Sequence, residues 1–361
     1  MNGLILNLGG TSTKAAVFHD ASFIRETIRH NPKEMEGCTQ IWDQYSFRKD
    51  TILDFLKRHD ISLSSIDLII VRGPSVKPVP SGVFEVNDAM VSDARSGKYG
   101  IHVCNLGCVL GKELADSISV YKKDGSRPNV LTADLPCVDE MIPIARYTGL
   151  PQITRHSFFQ ALSHKAVGRE IANRLGKRYE ELSLVITHLG SGISVASHVK
   201  GQVIDITNGI GGESPFGMDR TGTLPAADWM NLILSDHYSK AQLNEMLNVR
   251  GGLMAHLGTN DAKEVEKRID SGDVLAEEVY QAMAFQVVKA LGAASFACGE
   301  RPDAIGITGG LANSKRFITY IKEYISWICP VYVLPEVDEI DALYGTVKKA
   351  LEGEVPIQQY E

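Results

Sequence analysis

The stretch VITHLGSGISVASH, residues 185–198, sets Gly190 and Gly192 between two runs that read as β-strand. Phosphate loops of the common nucleotide folds lead from a strand into a helix. Here the residues after Gly192 keep alternating, through Ile193, Val195, Ser197 and Val199, so the chain is predicted to turn and return as a second strand. Any ligand at this turn meets a hairpin.

A related segment lies near the start. LILNLGGTSTKAAVFHD from Leu4 aligns with LVITHLGSGISVASHVKG from Leu184, placing Asn7 on His188 and Gly9 on Gly190 at one common offset of about half the chain. Each copy reads as strand, glycine turn, strand, then a polar turn (His19-Asp20, Lys200-Gly201) and a third short strand. Two related halves are the expectation, although two ordinary hairpins can also resemble each other by chance.

A chain of 361 residues exceeds the roughly 250 to 300 at which single cores stop growing, so two domains are expected, 1–149 and 150–361, divided at TGLPQ. The last helix is expected to pack back on the first lobe. With 44% hydrophobic and 22% charged residues the composition is that of a folded globule. The net charge of −7 argues against nucleic acid or an anionic membrane as partner. No apolar run is long enough to span a bilayer, and MNGLILNLGG has neither a basic lead nor a small-residue cleavage site, so a soluble, cytoplasmic protein is expected. Cys38, Cys104, Cys108, Cys137, Cys298 and Cys329 form no CxxC pair and read as small buried thiols.

Strands alternate with helical patterns, which indicates an α/β chain. QYSFRKDTILDFLKRH and NLGCVLGKELADSI have helical periodicity, and SIDLIIVRGP reads as a buried strand running into a loop. The second half opens with the helix SFFQALSHKAVGREIANRLG and ends with the strand VYVLP and the helix EVDEIDALYGTVKKALEG.

Three glycine turns are candidate phosphate cradles, because backbone N–H groups converge where no Cβ blocks approach. They are Gly9-Gly10-Thr11-Ser12-Thr13 followed by Lys14, then Gly190-Ser191-Gly192, and Thr308-Gly309-Gly310. No GxxxxGK[ST] and no strand–GxGxxG–helix is present, which sets aside P-loop and dinucleotide folds. The architecture that uses two such hairpins is the duplicated actin-like ATPase fold, two ribonuclease H-like lobes around an interdomain cleft, with a third glycine turn supporting adenosine.

The motifs ILNLGGTSTK, DQYSFRKDTILDFL, VRGPSVKPVPSGVFEVNDAM, FFQALSHKAV, THLGSGISVASHVKGQVIDITN, GGESPFGMDRTGTLP and ITGGLANSKRF occur in an order that resembles the acetate and butyrate kinase family of short-chain acyl kinases, most of all its butyrate kinase branch. The resemblance implies an enzyme using ATP and Mg²⁺ to phosphorylate a short-chain carboxylate, butyrate or a branched relative, and a homodimer or higher homo-oligomer.

By the same resemblance, His188 and Gly190 to Gly192 lie beside the transferred phosphate, and Asn7 at the first hairpin lies near Mg²⁺. Arg72, in VRGP, pairs with the substrate carboxylate, where a bidentate fork suits Arg. Arg220, in GMDRTG, covers the migrating phosphoryl group. Asp134 and Glu339 hold Mg²⁺ together with Asn7, mostly through water. Asn105 falls in a matching block and Pro78 to Val83 supplies an apolar wall for the acyl tail. Read alone, Arg72 is an ordinary loop-end arginine, Arg220 a turn arginine bridging Asp219, Asp134 and Glu339 solvated carboxylates, and Asn105 a helix cap.

Three departures from the family pattern stand out. Leu8-Gly9-Gly10 replaces Pro-Gly-Ser, and Gly211-Gly212-Glu213-Ser214 replaces Asp-Gly-Glu-Gly. Gln160 stands where the family has a histidine that contacts the phosphoryl group. Gln160 donates a hydrogen bond but carries no charge. His164, one turn on, is a candidate to compensate if both side chains share a helix face. These departures keep a second expectation open, a catalytically weakened nucleotide-binding relative with a regulatory or assembly role.

Overall fold

A computed structural model describes residues 1–20, 22–31, 37–38, 40–122, 124–335 and 337–361. In chain order these form β1 (Asn2–Leu8), β2 (Ser12–His19), β3 (Ser22–Arg29), α1 (Tyr45–Arg58), β4 (Leu68–Arg72), β5 (Val83–Glu85), α2 (Asp88–Ser96), α3 (Cys104–Tyr121) and β6 (Asn129–Ala133). Next come α4 (Ala161–Leu175), β7 (Ser183–Leu189), β8 (Ile193–Val199), β9 (Gln202–Ile206), α5 (Ala226–Leu234), α6 (Lys240–Asn248), α7 (Gly252–Leu257), α8 (Ala262–Asp270) and α9 (Val274–Ala297). The chain closes with β10 (Ala304–Thr308), α10 (Lys315–Ile325), β11 (Val331–Val333), α11 (Glu339–Leu351) and β12 (Ile357–Gln358).

Two compact units result, Met1–Val138 with Asp338–Glu361, and Asp139–Val337. The division therefore falls at Val138 and not at 149/150. Val138 still bridges Val79 in the first unit, whereas the Ile142 amide donates to the Ile204 carbonyl in the second. TGLPQ is an exposed turn inside the second unit, closed by a bridge between Tyr147 and Thr154. A Gly-Pro turn marks a loop, but only pairing shows which unit owns it.

In the first unit the sheet order is β12-β5-β6-β4-β1-β2-β3, and in the second β11-β10-β7-β8-β9. The series β3-β2-β1-β4-β6 and β9-β8-β7-β10-β11 have the same order and sense. The first three strands of each are antiparallel neighbours, and the next two run parallel to the first. The duplication expected from the two glycine segments is thus a duplication of whole sheets.

Central strands read as unbroken apolar runs because helices cover both faces. Leu4, Leu6, Ile69 and Val71 pack with Ile52, Phe55, Leu106 and Leu110 of the first core. In the second core Val185, Ile305 and Ile307 pack with Tyr280, Met283, Val287 and Phe317. The glycine turns cap strand ends beyond these cores. All six cysteines are unpaired; Cys104, Cys108, Cys137, Cys298 and Cys329 are buried as expected, whereas Cys38 is only partly buried. Burial pushes the thiols of Cys104, Cys137 and Cys298 up to about 11 and that of Cys108 up to about 12. Among the described residues no helix is long and apolar enough to cross a membrane.

The chain end was not visible as structure in the sequence. β12 pairs parallel with β5 at the sheet edge, and Tyr360, only 3% exposed, is inserted behind it. Its hydroxyl donates to Asp93 at 2.5 Å and accepts from the Lys77 amide at 3.1 Å, while its carbonyl accepts from Asn87 at 2.6 Å. Tyr360→Ala should lower the stability of the first unit by about 3 kcal/mol or more, the usual loss for emptying a buried aromatic site. Tyr360→Phe should lose about 1 kcal/mol. Urea unfolding of the two variants checks both the sign and the order.

Candidate functional site

In the first unit, Asn7, Arg72 and Asp134 stand at or just past the C-terminal ends of the parallel strands β1, β4 and β6. Leu6 pairs with Val71, and Arg72 with Ala133, so the three residues share one sheet edge. Ligands of open α/β sheets bind at that edge. Glu339, the first residue of α11, joins them. Asn7 Nδ2 donates to Glu339 Oε2 at 2.5 Å, Arg72 Nη1 is 3.2 Å from Glu339 Oε1, and Lys14 Nζ is 3.5 Å from Oε2. Arg72 Nη1 also reaches Asn7 Oδ1 at 3.4 Å. Its Nε and Nη2 have no partner among the described residues, so one edge of the guanidinium fork is open. Asp134 is nearly fully buried, with φ of 45°, a left-handed conformation seldom taken outside glycine and a strain typical of functional sites.

The hairpin β1–β2 turns through Gly9 to Ser12, closed by a bond from the Gly9 amide to the Ser12 carbonyl at 2.9 Å. Arg48 of α1, fully buried, lies behind it. Its Nη groups donate to the carbonyls of Gly9 (2.9 Å), Gly10 (3.2 Å) and Ser12 (3.0 Å) and to Thr13 Oγ1 (3.0 Å). Burial pushes Arg48 down to about 10, which leaves it charged at neutral pH. With the carbonyls drawn backward, Gly10 and Thr11 form the exposed tip. Thr13, expected among the phosphate-binding residues, is corrected: it has no exposed surface, and its hydroxyl binds Arg48 and His30. The periodicity of α1 marks Arg48 as a helix residue but not as the brace of a loop far away in sequence.

Asn105 is likewise fully buried. Its Oδ1 accepts from the Ser75 amide at 3.0 Å and its Nδ2 donates to the carbonyls of Ala94 (3.0 Å) and Gly100 (3.1 Å). The catalytic reading of Asn105 gives way to a positioning one, since its amide is spent on holding the loop that follows Arg72. In the Pro78 to Val83 stretch, Val79 and Val83 are buried and only Pro78 and Pro80 are exposed, so the valines serve the core.

In the second unit, β7 and β8 turn through Gly190, Ser191 and Gly192. A Cβ on Gly192 would lie 2.2 Å from Arg220 Nη1, so the guanidinium rests directly on this glycine. Arg220 Nη1 donates to the Gly209 carbonyl at 3.1 Å, and its buried Nε has no partner. Asp219, the suggested ion-pair partner of Arg220, instead accepts a hydrogen bond from Ser191 Oγ. Burial holds Arg220 below the usual arginine range, partly offset by Asp219. The 217–221 loop is clamped by the start of α7: the amides of Gly251, Leu253 and Met254 donate to the carbonyls of Asp219, Gly217 and Met218 at 3.0, 3.2 and 2.9 Å.

His188 closes β7 opposite Ser194, in register with Thr308 of β10. Gly309 follows with φ of 92°, and a Cβ there would come within 2.5 Å of the Leu189 carbonyl, so only glycine permits the approach. Beyond it, Gly310, Leu311 and Asn313 face Asn260, Asp261 and Lys263 across a cavity of about 290 Å³. A larger cavity of about 600 Å³, beside Phe296, Arg301 and Trp327, adjoins the opposite, N-terminal end of β10 and holds none of the expected residues.

Gln160 is the N-cap of α4, its carbonyl accepting from the His164 amide at 2.9 Å. His164 is fully buried and held well below its ordinary value by desolvation, then by His198. It therefore supplies no charge, although the Gln160 and His164 side chains do meet, each 2.9 Å from Ser194 Oγ.

A sequence model of the acetokinase family matches residues 142–324, half of the chain. The chain belongs to the acetokinase family. Its fold is similar to that of the acetate kinase of Porphyromonas gingivalis, at 16% identity and a TM-score of 0.76 over 96% of this chain and 99% of that one. A propionate kinase of Francisella tularensis gives 17% identity and a TM-score of 0.73 over 96% and 99%. The acetate kinase of Entamoeba histolytica gives 14% and 0.74 over 98% and 100%. These likenesses fix the duplicated actin-like ATPase fold.

A methyl group on Gly192 meets the far end of a flexible side chain, so Gly192→Ala should leave thermal stability within a few degrees of the parent while pushing Arg220 aside. On the role that the family resemblance implies for Arg220, phosphoryl transfer should fall about 100-fold or more. Calorimetry beside steady-state kinetics separates the two effects.

Proposed function

We propose that this chain is an ATP-dependent kinase of short-chain carboxylates, with butyrate or a branched relative as acceptor. The single observation that carries the reading is Arg220 seated on Gly192 at the second glycine hairpin. A carboxylate oxygen attacks the γ-phosphorus in line, the bond to the β-phosphate oxygen breaks, and an acyl phosphate and ADP result. Such an acceptor is already ionised at neutral pH, so no base or nucleophilic side chain is required. What the protein supplies is position and neutralisation of charge.

The residues fit these roles. Arg72 keeps one edge of its guanidinium open for the acceptor carboxylate, and the second hairpin with Arg220 suits the transferred group. The cavity beside Gly310 suits a nucleoside. Among the described residues no cluster of three or more His, Cys, Asp or Glu side chains exists that would cage a metal. Mg²⁺ keeps most of its waters and takes one or two carboxylates plus phosphate oxygens. Glu339 and Asp134, with Asn7, would hold it at the edge of the first sheet. When bound it neutralises charge on the phosphates.

The butyrate preference rests on the VRGPSVKPVPSGVFEVNDAM and GMDRTGTLP resemblances. The alternative of a weakened relative rests on Gln160, Gly10 and Gly211. Its hydrogen bond to Ser194 and the burial of His164 give Gln160 a built environment, which favours a working side chain over a decayed one.

With ATP, Mg²⁺ and a panel of C2 to C6 acids, hydroxylamine trapping should yield acyl hydroxamate, most from C4 and branched C4–C5 acids. No hydroxamate from any acid defeats the reading. Arg72→Lys should raise KM for the acid about tenfold or more with a smaller change in KM for ATP, since a point charge does not replace a fork.

A further inference from the structure

Behind Gln160 runs a row of polar side chains that the transfer chemistry above does not use. Ser194 Oγ lies 2.9 Å from Gln160 Oε1, and His164 Nε2 lies 2.9 Å from Ser194 Oγ. His164 Nδ1 lies 3.3 Å from His198 Nε2, the two rings stacked with centroids 5.6 Å apart, and the Tyr179 hydroxyl lies 2.6 Å from His198 Nδ1. Ser194, His164, His198 and Tyr179 are all buried, both imidazoles with no exposed surface at all. Gly168 makes room for the row: a Cβ there would lie 2.5 Å from the Tyr179 ring. Glycine inside a helix sacrifices about 1 kcal/mol relative to alanine, so the space has been kept at a loss.

We propose that Tyr179, His198, His164 and Ser194 form a one-way chain of hydrogen bonds that turns the Gln160 amide nitrogen forward as a fixed, uncharged donor to the transferred phosphoryl group. The proposal rests on the carboxylate-kinase reading and adds positioning residues to it. Each link carries one proton, and two senses are complete when Ser194 spends its proton inside the row. In one, Tyr179 O–H donates to His198 Nδ1, His198 Nε2–H to His164 Nδ1, His164 Nε2–H to Ser194 Oγ, and Ser194 O–H to Gln160 Oε1. In the other every proton points back, Gln160 donates to Ser194, and its oxygen faces forward.

Two arguments select the first sense. A phenol O–H is a far stronger acid than a neutral imidazole N–H, so donation from Tyr179 to His198 is the favoured end condition. At the other end, an amide oxygen facing phosphate oxygens repels them, whereas Nε2–H₂ attracts them. The first sense satisfies every buried atom and leaves Gln160 Nε2, which has no partner among the described residues, as the free terminus. Desolvation holds both histidines well below their ordinary values, so the chain stays neutral. It fixes an amide that would otherwise flip.

The test uses the full chain labelled with ¹⁵N-histidine, with resonances assigned from His164→Gln and His198→Gln. Both rings should show the neutral Nε2–H tautomer from about pH 6 to 8, a window that spans the ordinary titration of histidine. Tyr179→Phe, which removes one oxygen and little volume, should mix the tautomers. It should also lower kcat several-fold at unchanged KM for ATP. Ser194→Ala should lower kcat about tenfold, again without moving KM for ATP, as for a donor felt mainly in the transition state. An Nδ1–H tautomer or an imidazolium signal in the parent overturns the proposal. So does an unchanged kcat in Ser194→Ala. If no acid yields acyl phosphate, the kinase reading falls, and the parent's tautomers still show whether the sense of the chain was assigned correctly.

Discussion

A peptide hairpin offers its N–H groups to a phosphate only if its carbonyls are held elsewhere, and that constraint governs much of this chain. Each residue of the turn carries one donor and one acceptor, and the tight turn closes few bonds of its own. In the first unit the carbonyls of Gly9, Gly10 and Ser12 are taken by one buried guanidinium, Arg48. A side chain with five donors in a rigid plane is suited to gathering several carbonyls at once. Its charge, opposed by no carboxylate in its hydrogen-bonded shell among the described residues, also stands behind the tip as a fixed positive field. In the second unit Asp219 holds the Ser191 hydroxyl, and Arg220 covers Gly192 while donating to the Gly209 carbonyl outside the turn.

The two cradles therefore share a backbone plan and differ in their support. Duplication conserved what the strands impose, namely order, sense and the place of the glycine turn. The side chains that support each turn come from α1 in one unit and from the 217–221 loop in the other. This is why a common offset between Asn7 and His188 finds the sheets and not their braces. It also explains the exposure of Gly10 and Thr11 beside the burial of Gly192.

What the amino-acid pattern discloses follows from distance along the chain. Alternation from Ile193 to Val199 decides a hairpin locally, and the apolar run at Leu68 decides a buried strand. Asn7, Arg72 and Asp134 each sit where a strand meets a loop, and parallel pairing then brings them to one edge. Thr13 and Asn105 were legible as polar residues in matching motifs, but not as buried ones, because burial depends on α1 in the first case and on the Ser75 loop in the second. The unit boundary at Val138 depends on a bridge to Val79, and the insertion of Tyr360 on a strand edge near Val83. None of these partners is a sequence neighbour.

Gln160 shows what replacing a charged group by a neutral one demands of its surroundings. An imidazolium attracts phosphate oxygens whichever way its ring faces, because both nitrogens donate. An amide attracts them on one side and repels them on the other, so its orientation becomes part of the chemistry. A flexible, half-exposed glutamine would spend much of its time reversed and give little. Four buried polar side chains in series, two of them histidines kept neutral by burial, are a large investment for one surface amide unless its sense matters. Fixing that sense replaces part of what the missing charge supplied. On the proposed kinase reading, Arg220, desolvated on Gly192 in the same unit, serves as a cation of the second cradle, where a low dielectric would strengthen its hold on developing charge.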